Sequence, residues 1–270
     1  MSENQGLTDI ERAFNEAFGN GELSSAASNL IAQPGIATSI RDAVTIDPDD
    51  LESSSAFLML IILDDSGSLS GFEDCIIEGF NCILDGMEAS KVRDDILVLT
   101  FTLNNGMLDS FMPVEQATRL SRQNYFPGGG TPLIPTIETA IADFLAQYEV
   151  IRSANIDPRG AIVIVTDGGD TTGRNPEELA PLITNDIVPN EWITISAMGI
   201  GGTRPDFYKD IFTRMGIPEK DIVEVGVGVT DPDALKREVR LKFQAASRTT
   251  QTMSRSSKGF SGAASSGLFG

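Results

Sequence analysis

The chain has 270 residues, 41% of them apolar, which is enough for a buried core. Against 20 Lys and Arg stand 39 Asp and Glu, a net charge of −19. A phosphate backbone would repel such a surface, which argues against nucleic-acid binding. Histidine is absent and there are only two cysteines, so Ser-His-Asp and Cys-His nucleophiles, imidazole zinc sites and a disulfide framework all drop out.

Hard-metal chemistry through oxygen ligands survives, as does binding without chemistry. Residues 1–5 lack the basic start and apolar run of a signal peptide. The longest apolar stretch, Ala56 to Leu63, falls far short of the ~20 residues that span a bilayer. A soluble, cytoplasmic protein with no membrane partner is the expectation.

Residues 1–55 read as a helical N-terminal extension. Thr8-Asp9-Ile10-Glu11 fits a capping box, Ile10, Phe14 and Phe18 recur every four residues, and Gly19-Asn20-Gly21 ends the helix. A second helix is expected over Ser24 to Ala32, stopped by Pro34. Both are too short to stand alone and should pack on the domain that begins near residue 56.

From residue 56 the pattern changes. Ala56–Leu63 is a continuous apolar run, the mark of a strand buried on both faces. Further strands are expected at Ile96–Leu103, Ala161–Thr166, Trp192–Met198 and Ile222–Val225, with a short antiparallel strand over Leu108–Met112 after the Asn104-Asn105-Gly106 turn. Helices are expected at Phe72–Met87, Leu133–Ile151, Pro176–Ile187, Pro205–Met215 and from Asp231 onward. This alternation describes an α/β domain, residues 56–245, whose mostly parallel sheet is covered on both faces. Residues 246–270, rich in Ser, Thr and Gly with no acid, read as a flexible tail. Cys75 and Cys82 lie seven apart on one helix, ~10.5 Å along its axis and beyond disulfide reach, so they are read as core residues.

In doubly wound sheets, ligands sit beyond the carboxyl ends of the strands. The first strand runs into Asp64-Asp65-Ser66-Gly67-Ser68, the later buried strand into Asp167-Gly168-Gly169-Asp170, and Gly128-Gly129-Gly130-Thr131-Pro132 opens a helix between them. Two carboxylates and three hydroxyls make a hard oxygen set suited to Mg2+ or Mn2+. Taken singly, each residue has an ordinary reading. Asp64 and Ser66 can cap a helix near Ser70, Thr131 can cap the helix at Pro132, and Asp167 can be a turn residue. Asp65 and Asp170 are expected to shape the acidic rim without ligating.

Asp64-x-Ser66-x-Ser68, then Thr131, then Asp167 resembles the von Willebrand factor A family and its metal-ion-dependent adhesion site. The resemblance covers about residues 56–245. It implies a Rossmann-like, doubly wound sheet with one antiparallel edge strand, and a divalent ion held by Ser66, Ser68 and Thr131, with Asp64 and Asp167 often acting through water. It also implies a protein partner that completes the site with an Asp or Glu. The Gly128–Leu133 loop is similar to bacterial intracellular members, including those of tellurium-resistance type, which points to a stress-response setting. The extension and the Ser-rich tail depart from compact members of the family.

The function expected is therefore a metal-dependent, intracellular binding module, an adaptor or scaffold without catalysis. Alternatives are an adaptor for a ring-shaped AAA-type ATPase, a module for a kinase or phosphatase partner, and a metal-dependent hydrolase. The Asp-x-Asp phosphatase pattern of the haloacid dehalogenase class needs a carboxylate where Ser66 stands.

Overall fold

Eight of the nine residues of β1 (Ser55–Leu63) are buried, so this strand must lie between two covering layers. The structure, a computed structural model, describes residues 3–90, 95–202, 204–253 and 268–269, with the side chains of residues 3–9, 11 and 253 outside the description. β1 joins β2 (Ile96–Thr102), β3 (Gly106–Pro113), β4 (Asp157–Thr166), β5 (Ile193–Ile200) and β6 (Ile222–Val225) in a six-stranded sheet of order β3-β2-β1-β4-β5-β6. Every neighbouring pair is parallel except β2 and β3 at the edge. This is the Rossmann-like, doubly wound α/β fold with one antiparallel edge strand that the resemblance implied.

The first three strands build outward in one direction and the last three in the other. β1 and β4 therefore meet where the winding reverses, and the loops leaving their carboxyl ends part to form a crevice. Leu63 pairs with both Thr102 and Val165, so the ends of β1, β2 and β4 lie level.

One face of the sheet is covered by α4 (Glu73–Glu88) and α8 (Pro232–Met253), which close over Phe57, Met59, Ile61, Val163 and Val165. The two helices approach closely because α4 carries Gly79 and Gly86 at the contact. A Cβ there would lie 2.3 Å from the Phe243 ring and 2.2 Å from Ser247 Oγ. The other face carries α5 (Leu133–Ser153), α6 (Ala180–Leu182) and α7 (Phe207–Arg214) over Leu58, Leu60, Ile62 and Ile162.

The N-terminal extension forms a further layer outside α5. It contains α1 (Glu3–Gly19), α2 (Ser25–Ile31) and α3 (Pro34–Ala43), one helix more than expected. Pro34, read as a stop, instead opens α3, where its missing amide costs nothing. Helix α1 starts at Glu3, so Thr8 lies inside it rather than at its cap, and the side chains of the expected Thr8–Glu11 box lie outside the described residues. Polar bonds pin the layer down. Gln147 of α5 accepts from Ile46 N (3.2 Å) and donates to Ile46 O (3.1 Å). Ser39 Oγ donates to Asp143 Oδ2 at 2.6 Å, and Ser24 donates to Asp186 through both its amide and its hydroxyl. Asp143 and Gln147 are fully buried on α5, which makes its outer face part of the core rather than a solvated one.

Two other expectations change. The single helix over 176–187 is instead a 3-10 turn (Pro176–Glu178), α6 and a π turn (Ile183–Ile187), because Pro181 removes an amide from the helical ladder. The expected boundary at 245 falls inside α8, which runs on to Met253. Val239, Phe243, Ala246 and Thr250 keep one buried face, and Thr249 and Thr250 return their hydroxyls to the carbonyls of Ala245 and Ala246. Leu268 and Phe269, also assigned to the tail, are fully buried, whereas residues 254–267 lie outside the described residues. Both cysteines are free thiols: Cys75 is buried as expected, and Cys82 is only half-buried.

Candidate metal centre

Asp64 directly follows β1, and its amide donates to Val165 O (2.8 Å), which continues the β1–β4 pairing by one residue. Asp64 as a whole is 1% exposed. Oδ1 accepts from Ser66 N at 2.7 Å, turning the chain so that Ser66 and Ser68 face the crevice. Oδ2 accepts from Thr166 Oγ1 at 2.5 Å and from Asp167 N at 3.3 Å. Asp64 thus holds two strand ends in register and presents the serine loop to Asp167.

The oxygens of that loop converge. Ser66 Oγ and Ser68 Oγ lie 3.0 Å apart, and Asp167 Oδ1 accepts from Ser68 Oγ at 2.8 Å and from Ser66 Oγ at 3.4 Å. Adjacent ligands of an octahedral ion with bonds of about 2.1 Å lie roughly 3 Å apart, so the three oxygens are spaced as neighbouring vertices of such a shell. Among the described residues no three His, Cys, Asp or Glu side chains group as a metal cluster. The donors here are hydroxyls around two carboxylates, and they fit Mg2+ or Mn2+. Burial pushes the Asp167 carboxyl up to about 6; the Ser68 hydrogen bond opposes this rise and the Asp64 charge adds to it.

Thr131 arrives from the glycine loop. Gly128 N donates to Asp65 O at 2.8 Å and Gly67 N to Gly129 O at 3.3 Å, which joins that loop to the serine loop. Gly129 has φ +74 and crosses Asn104 so closely that a Cβ would lie 2.7 Å from Asn104 Oδ1. Thr131 N donates to Thr171 Oγ1 and Thr171 N donates to Thr131 O, which fixes Thr131 beside the loop after β4. Its hydroxyl lies 3.2 Å from where a Cβ on Gly168 would sit. No hydrogen bond among the described residues joins Thr131 to the other four candidates.

The ordinary readings fare differently. Pro132, not Thr131, is the cap position of α5, and it makes no side-chain bond. Asp170 serves that helix instead, accepting from Ile134 N at 3.1 Å. Ser66 precedes a 3-10 turn (Gly67–Leu69) without capping it through its side chain. Asp65 is fully buried and accepts from Asn104 N (2.7 Å) and Asn105 Nδ2 (2.5 Å), so it anchors the β2–β3 turn rather than shaping an exposed rim.

Three supporting residues escaped the sequence reading. Thr166, one position before Asp167, holds Asp64. Tyr125 OH donates to Asp64 O at 2.6 Å, and Tyr208 OH donates to Asp167 O at 2.6 Å. Burial, with the nearby carboxylates, raises both phenols above their ordinary range and keeps them as donors. Only the adjacency of Thr166 to Asp167 was a signal in the sequence. The two tyrosines lie 61 and 41 residues from the aspartates they support.

No family model matches the sequence, and no curated protein matches it. Among solved structures, the chain is similar to a von Willebrand factor type A protein from Catenulispora acidiphila, at 18% identity and TM-score 0.43 over 72% of this chain and 43% of that one. It is similar to the VWA domain of SpRpn10 at 14% identity and TM-score 0.46, over 68% of this chain and 94% of that one. It is also similar to the manganese-loaded TRAP protein of Plasmodium vivax at 17% identity and TM-score 0.45, over 67% of this chain and 74% of that one. The chain spans less than half the length of the Catenulispora protein.

Proposed function

We propose that this chain is a von Willebrand factor A-type binding module of the cytoplasm, an adaptor that holds Mg2+ or Mn2+ and grips a carboxylate of a protein partner. The observation that carries this reading is the octahedral-edge spacing of Ser66 Oγ, Ser68 Oγ and Asp167 Oδ1. Ser66, Ser68 and Thr131 would hold the ion through neutral hydroxyls, with Asp64 and Asp167 supplying the charge. When bound, the ion offers the partner's Asp or Glu an electrophilic site that hydroxyl ligands leave largely unneutralised. The protein's own part is to keep that ligand set rigid, and the Thr166, Tyr125 and Tyr208 bonds do so.

A catalytic role for Asp64 fits the geometry less well. Both its oxygens accept hydrogen bonds and it is nearly inaccessible, while the position two residues on, where a general acid would be needed, holds Ser66. Among the described residues no helix is long and apolar enough to cross a membrane.

A binding assay on the immobilised chain tests the proposal, with Mn2+ or EDTA and with Thr131→Ala and Ser68→Ala beside the wild type. A partner held through its carboxylate is released by EDTA and lost from both variants. Its affinity is nearly insensitive to salt, because direct contact outweighs long-range repulsion from the −19 charge beyond a Debye length of ~8 Å. A partner retained equally in chelator, or released by salt, overturns the carboxylate grip.

A further inference from the structure

Leu268 and Phe269 are fully buried against the face of the sheet that α4 and α8 cover, in the same cluster as Met198, Val239 and Phe243. The contacts that hold them address the main chain as well as the side chains. Leu268 N donates to Ser196 Oγ at 3.0 Å, and Phe269 O accepts from Lys242 Nζ at 3.4 Å. One wall is therefore β5 and the other α8. Ser196 is itself fully buried and alternates along β5 with Ile195 and Ala197, which face the opposite cluster. A hydroxyl in so apolar a wall costs stability unless it is bonded, and its bond goes to this segment.

We propose that the α8–β5 cleft is a peptide-docking groove, occupied by the chain's own Leu268–Phe269 pair, which undocks without unfolding the domain. The pair belongs to no strand ladder or helix, so its release breaks neither the sheet nor α8. Fourteen residues, 254–267, separate it from the end of α8, and being part of the same chain gives the internal pair a large advantage in effective concentration over any pair presented by another molecule. The groove reads an aliphatic–aromatic pair through apolar walls, an amide acceptor (Ser196) and a carbonyl donor (Lys242). A partner using the same groove must first displace the internal segment.

The test is fluorescence anisotropy with a fluorescein-labelled Ala-Ser-Ser-Gly-Leu-Phe-Gly peptide and the full chain carrying Leu268→Ser with Phe269→Ser. The emptied groove should bind the peptide at least tenfold more tightly than the wild type, with a cooperative melt retained. Adding Ser196→Ala should then weaken binding severalfold. If the double variant does not fold, Phe269→Leu is read in its place and should show an intermediate gain. Equal binding by wild type and variant, no binding by the variant, or loss of the cooperative melt even in Phe269→Leu overturns the proposal. The last result would make the pair ordinary core.

Discussion

Ser68 and Asp167, 99 residues apart in the chain, are joined by a 2.8 Å hydrogen bond from the serine hydroxyl to Oδ1. Ser68 is exposed, and its hydroxyl bonds to Ser66 Oγ and Asp167 Oδ1, both within the candidate site, so its loss separates metal binding from folding. Ser68→Ala should leave the melting temperature in EDTA within about 1–2 °C of the wild type, a surface-substitution effect. It should also shrink the stabilisation that millimolar Mn2+ gives the wild type by mass action. Differential scanning fluorimetry with and without metal reads both effects. Identical wild-type curves in EDTA and Mn2+ would remove the metal from the account.

Asp64→Ala should behave differently. It strands the Ser66 amide, and an unsatisfied buried group costs about 1–3 kcal/mol, whereas the Thr166 hydroxyl keeps its bond to Gly168 O. Stability in chelator should therefore fall by at least that much, in addition to the loss of metal response. Urea unfolding in EDTA measures the metal-independent part, and an unchanged midpoint would contradict the structural role.

Stability should fall as pH rises from about 4 to about 7, in part through Asp143. Burial pushes this carboxyl up to about 7 from 3.8, against the opposing Ser39 hydrogen bond, and its Oδ1 has no hydrogen-bond partner among the described residues. The folded state therefore holds a proton that the unfolded chain releases near pH 4, and the stability this contributes is lost as pH rises through about 7. Glu149, also raised to about 7, acts with the same sign. Asp143→Asn keeps the shape, removes the titration and should flatten the slope of unfolding free energy against pH.

Residues 1–55 should be indispensable to the fold. Without them α5 would expose Ala142, Ala146 and Val150 with Asp143 and Gln147, a face now buried. A chain begun at residue 56 should be insoluble or lack a cooperative melt. The milder Gln147→Ala, which strands both polar groups of Ile46, should cost about 2–4 kcal/mol. A cooperative melt from the shortened chain, close to that of the full chain, would make the extension an appendage.

Two glycines should respond with opposite signs. Gly79→Ala drives a Cβ to 2.3 Å from Phe243, and overpacking of about 1–3 kcal/mol should exceed the roughly 1 kcal/mol gained in helix propensity. At Gly35 of α3 a Cβ would meet nothing within 4 Å, so Gly35→Ala should stabilise by about 0.4–1 kcal/mol. Denaturant midpoints of the two variants decide the matter.

By itself the sequence determined what local patterning controls. Runs such as Ala56–Leu63 and Ile96–Leu103 can only be strands with both faces covered, and Asn104-Asn105-Gly106 can only turn back, so the sheet and its antiparallel edge were legible. That Ser66, Ser68 and Asp167 come together was legible for the same reason, since strand ends of a parallel sheet share a rim. Tertiary structure decided which residues cover which. The apolar stripe of α5 reveals one buried face, but its second is built with Asp143 and Gln147, whose burial depends on partners at Ser39 and Ile46, about a hundred residues away. The tail misled for a related reason: Ser and Thr signal disorder by composition, yet along α8 their hydroxyls bond back to the helix while Ala246 and Thr250 continue its buried face. Leu268 and Phe269 are a pair too short to carry a period, and only a groove lined by β5 and α8 gives them a place.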